Sequence, residues 1–232
     1  MMKQISLFDD IANARDSIFA WDQKSGDRRI LDLPSNQMVF HEGNRSEYVY
    51  EVLSGTLKLL KATEDGRQLV LGFPTVGEII GLGGLNEYLH SAETVSSTKL
   101  LPILRKSVEK KFAENAQTAG RFFDWIEKQL TSNIEHVSLL ANTHIQSRVA
   151  AFLLNSFLKQ SQGNADFRTL YLPMTQRDIA SYLAIAPETY SRVLRKFREG
   201  GILGLQNTAC GRGGIKISSL SKLEQIALGE NI

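Results

Sequence analysis

Glu188, Ser191, Arg192, Arg195 and Lys196 stand together in "PETYSRVLRKFRE". At about 100° per residue, a helix gathers them on one side. Their side chains are the kinds that meet nucleobase edges. An Arg guanidinium donates two parallel bonds to O6 and N7 of guanine, a carboxylate accepts from the cytosine amino group, and a serine hydroxyl bonds several bases. Glu188, Ser191 and Arg192 occupy the early turns and are the candidate base readers. Thr175, Arg177, Arg195, Lys196, Arg198 and Arg212 are candidates for phosphate, a contact that gives affinity and salt dependence rather than sequence choice. Each residue alone has a plainer reading. Glu188 also suits the positive end of a helix dipole, and exposed Arg and Lys also make an ordinary solvated face.

The elements that position these residues decide between the two readings. Thr175 is a good N-cap, and Asp178 three residues later completes a capping box. A first helix is predicted over Gln176 to Leu183. Pro187 suits a first turn, where its missing N–H costs nothing, and a second helix is predicted over Glu188 to Glu199, stopped by Gly200-Gly201. Only Ala184, Ile185 and Ala186 remain for the turn, so the helices must cross steeply. Ile179, Ala180, Leu183, Ile185, Tyr190 and Val193 supply their shared interior. This is the helix-turn-helix pattern, with Ala184 where the turn usually carries Gly. Beyond it, "GGILGL" and "GIKISSL" look like two short strands around "QNTACGRGG", a wing with Arg212 at its tip. Cys210 in that loop is a possible redox site, because a neighbouring cation lowers a thiol pKa; an inert loop thiol is the plainer reading.

The 232 residues suit two domains. Charge is uneven: from Gln146 onward there are 11 Lys/Arg against 6 Asp/Glu, and before it 16 against 19, so a weakly basic C-terminal part follows a slightly acidic body. One cysteine excludes an internal disulfide and any cluster needing several thiolates. No apolar run is long enough for a membrane span, and the start, "MMKQISLFDDIANARDS", lacks the apolar core of a secretory signal, so the cytoplasm is the expected compartment. No metal-ligand cluster, phosphate loop or nucleophile–base pairing marks an enzyme, and no catalytic residue is assigned. No cofactor or metal is expected.

"MVFHEG", "YVYEVLSGTLKLLKA", "RQLVLGF" and "SSTKLLPI" are β-rich runs separated by turn signals, among them the hairpin "TEDGR". They predict a compact antiparallel roll. A long helix is predicted from Ser107 to His144. Along it Phe123, Ile126, Leu130, Asn133, Val137 and Leu140 recur at alternating spacings of three and four, the seam of a two-stranded coiled coil, with Asn133 as a buried register-setting polar residue. The expected organisation is α+β: residues 1–106 a β-roll sensor with an N-terminal helix, 107–145 a long dimerisation helix, and 146–232 a winged helix-turn-helix.

That order, together with "VFHEGNRSEYVYEVLSGTLKLL", "GFPTVGEIIGL" and "TQRDIASYLAIAPETYSRVLRKF", resembles the CRP/FNR superfamily of bacterial transcription regulators over nearly the whole chain. The resemblance implies a homodimer on double-stranded DNA, acting with RNA polymerase, most often as an activator. "ETYSR" resembles the Glu-x-x-Ser-Arg signature of the FNR and FixK branch, which implies base reading by Glu188, Ser191 and Arg192 on a palindrome like TTGAT…ATCAA. Pro187 stands where the cyclic-AMP branch has an Arg. The oxygen-sensing relatives hold an iron–sulfur cluster on several cysteines, which this chain lacks, so it looks more like FixK.

In the family's nucleotide pocket the ligand is held by a Glu after Gly and by an Arg-Ser pair. Here Gly77, Glu78 and Ser91 remain, but the Arg position is His90, and a neutral imidazole lacks the forked cation that suits a phosphate diester. Asn133 and Ile134 fall where the cyclic-AMP protein has a Thr-Ser pair. Control by cyclic AMP is not expected, and the effector is left open. His41, His90, His136 and His144 show no haem motif. The alternative is a nucleotide- or metabolite-responsive signalling module that acts through protein partners.

Overall fold

The computed structural model describes residues 30–84, 86–161, 167–204 and 214–229. Cys210, Arg212 and the expected N-terminal helix lie outside them. Two compact units divide between Thr131 and Ser132.

In the first unit, two four-stranded sheets carry the β-rich runs. One is ordered β1 (Leu31–Leu33), β8 (Thr98–Leu104), β3 (Tyr48–Ser54), β6 (Ile79–Ile80). The other is β2 (Met38–Phe40), β7 (Ser91–Thr94), β4 (Leu57–Ala62), β5 (Gln68–Gly72). Every pairing is antiparallel. The longest, β3 with β8, sets Val49 opposite Ile103 and Val52 opposite Leu100. Leu57 and Leu100 are wholly buried, packed with Phe40, Tyr88 and Ala92. Burying each leucine contributes about 1.5–3 kcal/mol. The expected hairpin joins β4 to β5: Thr63 N–H bonds Arg67 O, and Gly66 N–H bonds Thr63 O with Gly66 at φ +80°. Between β3 and β4, Gly55 sits at φ +90° with room for no Cβ, which would lie 2.4 Å from Ser97 O.

The single helix expected from Ser107 to His144 is two: α1 (Arg105–Glu114) and α2 (Ala116–Ala141). The break has a local cause. Asn115 Oδ1 accepts from the Thr118 N–H, so this Asn caps a new helix instead of continuing the old one. Phe122 and Trp125 of α2 stack in series with Phe112 of α1, at 4.6 and 5.7 Å, and join the cluster around Val49, Ile79 and Ile103.

The second unit takes the last turns of α2, then α3 (Ile145–Ser161), β9 (Thr169–Leu170), α4 (Gln176–Tyr182), α5 (Pro187–Glu199), β10 (Ile215–Lys216) and α6 (Leu220–Ala227). Val149, Phe152, Leu153 and Phe157 of α3 bury one face against a core that includes Leu170, Ile179, Leu183, Leu223 and Ile226. The wing differs from the sequence expectation. Ile215–Lys216 pairs with Thr169–Leu170, and the described part of "GGILGL" meets "GIKISSL" at the isolated bridge Leu203 to Ile217, flanked by the bonds from Gly204 N–H to Lys216 O and from Ser218 N–H to Ile202 O. The partner strand comes from "FRTLYLPM", whose two-residue ladder is too short to leave a period-two signal.

Candidate nucleic-acid interface

The α4–α5 pair is built from local signals. Thr175 Oγ1 accepts from the Asp178 N–H at 3.1 Å, and Asp178 Oδ2 accepts from the Thr175 N–H at 3.1 Å, a closed capping box. The turn follows at once. Ala184 holds φ +52°, and the Ile185 N–H bonds Ala180 O at 3.0 Å. From α3, Arg148 Nη1 donates to Leu183 O at 3.1 Å and caps the carbonyl end of α4. Arg148 is a residue that sequence reasoning missed, since only the tertiary fold brings it to this turn.

Pro187 opens α5, and a Schellman motif closes it. Gly201, at φ +67°, donates to Arg198 O at 3.0 Å, and Ile202 N–H reaches Phe197 O at 2.9 Å. Tyr190, Val193, Leu194 and Phe197 are buried, while Ile185 packs half-buried at the edge of the same core. The opposite face of α5 holds Glu188, Ser191, Arg192, Arg195 and Lys196, all exposed, with Arg198 and Glu199 beyond. Glu188, Ser191, Arg192 and Arg195 therefore share one surface about 100° wide. Arg195 pairs with Glu199 at 2.8 Å, but both ends are exposed, so the pair is worth at most about 1 kcal/mol and yields readily to a phosphate. Among the described residues Arg192, Lys196 and Arg198 make no ion pair. Thr175 and Arg177 are exposed at the start of α4.

Along α2, Phe123, Ile126, Leu130, Ile134 and Val137 are exposed, at 67%, 39%, 58%, 59% and 65%. They fall within an arc of about 80° at 100° per residue. Asn133 is exposed at one margin of this stripe and Ile134 at the other; Leu140 is half-buried. Ile134 is thus a stripe residue that the alternating three–four count passed over. A straight helix of 3.6 residues per turn brings the fourth residue after Leu130 onto the face as readily as the third.

In the β-roll, the groups that the resemblance sets around a nucleotide are engaged within the chain. Ser91 Oγ accepts from the Glu42 N–H at 2.9 Å. Glu78 Oε2 accepts from the Thr75 N–H at 2.6 Å. Lys61 bonds the Glu42 carboxylate and also Leu89 O at 2.9 Å. The Lys61 bond, followed by that from the Ala62 N–H, holds the Glu42 pKa below the usual carboxylate range. Burial, and then the Lys61 charge, depress the His90 pKa, so its imidazole is neutral at pH 7. Its Nε2 is buried and has no hydrogen-bond partner among the described residues. Among the described residues, His90 leaves the position of the family's Arg with a neutral ring, so the forked cation that suits a diester phosphate is missing there. Among the described residues no group of three His, Cys, Asp or Glu could hold a metal ion, and no helix is long and apolar enough to cross a membrane.

Residues 147–226 match the model of the Crp-like helix-turn-helix domain, and residues 30–115 match that of the cyclic nucleotide-binding domain. The chain is similar to the nitrogen fixation regulation protein FixK of Azorhizobium caulinodans, at 30% identity over 75% of this chain and 70% of that protein. It is also similar to the protein of the same name from Bradyrhizobium diazoefficiens, at 28% identity over 86% of this chain and 82% of that one. The solved structure of FixK2 from Bradyrhizobium japonicum aligns with a TM-score of 0.75 and 26% identity, covering 89% of this chain and 99% of that one.

Proposed function

The chain belongs to the CRP/FNR family of DNA-binding transcription regulators, and from that premise we propose how it finds its target: as a homodimer on an FNR-like inverted repeat, TTGAT…ATCAA, read by Glu188, Ser191 and Arg192. The observation that carries the reading is the outward face of α5. It combines an unpaired guanidinium, a carboxylate and a hydroxyl on the first two turns, with the basic residues behind them.

The proposed steps are these. The apolar stripe of α2 pairs with that of a second copy across a two-fold axis. The two α5 helices then stand about 34–36 Å apart, one duplex turn, and enter successive major grooves. A helix is about 10–12 Å across and the groove about 12 Å wide, so each can lie within its groove. Arg192 donates in bidentate fashion to a guanine, Glu188 accepts from a cytosine amino group, and Ser191 bonds or touches a neighbouring base. Thr175, Arg177, Arg195, Lys196 and Arg198 hold the backbone and set the salt dependence.

We further assign the protein to the cytoplasm, with RNA polymerase as its protein partner and activation as its usual effect. The β-roll carries no nucleotide-dependent step in this mechanism, because a neutral His90 stands where the family's pocket has its Arg. Fluorescence anisotropy on the repeat and on scrambled duplexes tests the reading. Arg192→Ala is expected to cost about 1–3 kcal/mol and to relax preference at one base pair in each half-site. Unchanged selectivity would remove Arg192 from its role.

A further inference from the structure

The last turns of α2 belong to the same compact unit as the helix-turn-helix. On these turns two faces do different things. Ile134 and Val137 are exposed. Opposite them, Leu139 packs against the core of the DNA-reading unit, and the His136 ring stacks on Tyr182, the last residue of α4, with centroids 4.0 Å apart and planes at 24°. Phe152 of α3 also meets the Tyr182 ring, tilted at 58° with centroids 5.8 Å apart. His136 Nδ1 is buried and has no hydrogen-bond partner among the described residues, while its ring contact with Tyr182 is close. Burial lowers the His136 pKa, which favours the neutral imidazole in this stack.

We propose that the His136–Tyr182 stack is the positioning joint that fixes the α4–α5 pair on the end of the pairing helix, so that the second half-site is met at the right distance and angle. The inference rests on the dimeric reading above. Its physical content is avidity. Once one α5 has docked, the second binds as an intramolecular event, at an effective concentration set by how tightly its position is held. Tyr182 ties the end of α4 to α2, because its one ring meets both His136 of α2 and Phe152 of α3. Loosening the stack spreads the second α5 over more orientations. The contacts of either α5 with its own half-site do not change.

This separates a positioning role from a merely structural one. Damage to the helix-turn-helix core would weaken a single half-site and the full repeat alike. Loss of the joint weakens the full repeat alone. The test measures affinity for four duplexes: the repeat, the repeat with one base pair inserted at its centre, an isolated half-site and a scrambled control. Full-length wild type, Tyr182→Ala, Tyr182→Phe and His136→Ala are compared. Wild type is expected to prefer the repeat and to lose affinity sharply on insertion. Tyr182→Ala and His136→Ala are expected to bind the repeat about tenfold more weakly, with the half-site within about twofold of wild type, and to lose much of the insertion penalty. Tyr182→Phe keeps the ring and should match wild type.

If Tyr182→Ala does not fold, His136→Ala carries the test, since it trims the stack from the α2 side and leaves α4 complete. A wild-type insertion penalty that persists in the alanine variants overturns the inference, as does a loss shared equally by half-site and repeat, or a Tyr182→Phe variant that behaves like Tyr182→Ala. Wild type that shows no preference for the repeat over a scrambled duplex overturns the dimeric reading itself, and this inference with it.

Discussion

Ala184 holds the helix-turn-helix turn in a conformation that L side chains avoid, with φ at +52°. The left-handed region costs a non-glycine residue roughly 1–2 kcal/mol, because Cβ crowds the following carbonyl. The Ala184 N–H still bonds Ser181 O at 3.0 Å, and the side chain is exposed, so replacing it by glycine removes the crowding and loses no contact. Against this, glycine gives the unfolded chain more freedom, worth about 0.4–1 kcal/mol. The difference predicts that Ala184→Gly stabilises the second unit by about 0.5–1 kcal/mol, or roughly 2–8 °C in Tm for a unit of this size. Ala184→Val should move the other way by more than about 1 kcal/mol, because a β-branched side chain is worse still in this region. Circular dichroism melts and urea titrations of the three proteins measure both changes. A glycine variant no more stable than wild type would refute the strain, and with it the assignment of this turn.

The Tyr190 hydroxyl is buried in the same core with no partner among the described residues, and burial raises its pKa; Tyr190→Phe should therefore gain about 1 kcal/mol in urea unfolding, and a loss would show that the hydroxyl is satisfied in solution. His90 and His136 both have folded pKa values below the ordinary 6.5, so the unfolded chain takes up their protons first. Their effect on stability is nil well above pH 6.5 and unfavourable as pH falls through it. The Tm should drop between about pH 7.5 and 5.5, and His90→Gln should flatten that decline; an equal decline in the variant would contradict the assignment. Leu130→Glu puts a charge at the centre of the α2 stripe and withdraws about 1.5–3 kcal/mol of burial per copy from the proposed pairing. Sedimentation should show monomers and binding to the repeat should fail, whereas an intact dimer would move the interface elsewhere.

How much of this the sequence could show depends on how local each cause is. The α4–α5 pair was legible in full because its signals lie within it: Thr175 with Asp178 at the start, Pro187 at the restart, Gly200-Gly201 at the stop. The β-roll was legible as strands and turns, since period-two runs and "TEDGR" are local too. The break at Asn115 was not, because an Asn within a helical run acts as a cap only when the preceding chain leaves helical geometry. Nor was the ladder of Thr169–Leu170 with Ile215–Lys216, a long-range pairing of two-residue strands. Arg148 over the end of α4 and His136 on Tyr182 are tertiary contacts between helices far apart in the chain, and no spacing rule reaches them. Ile134 was in view, but the heptad count favoured Asn133 beside it.

The central claim is that two copies of α5 meet the same face of one duplex a helical turn apart. Hydroxyl-radical footprinting of the full-length protein on a TTGAT…ATCAA duplex tests it most directly. Two protected patches on one face, centred about 10–10.5 base pairs apart and both lost in Arg192→Ala at moderate salt, are the expected result. A single patch, or protection indifferent to the inverted repeat, would contradict it.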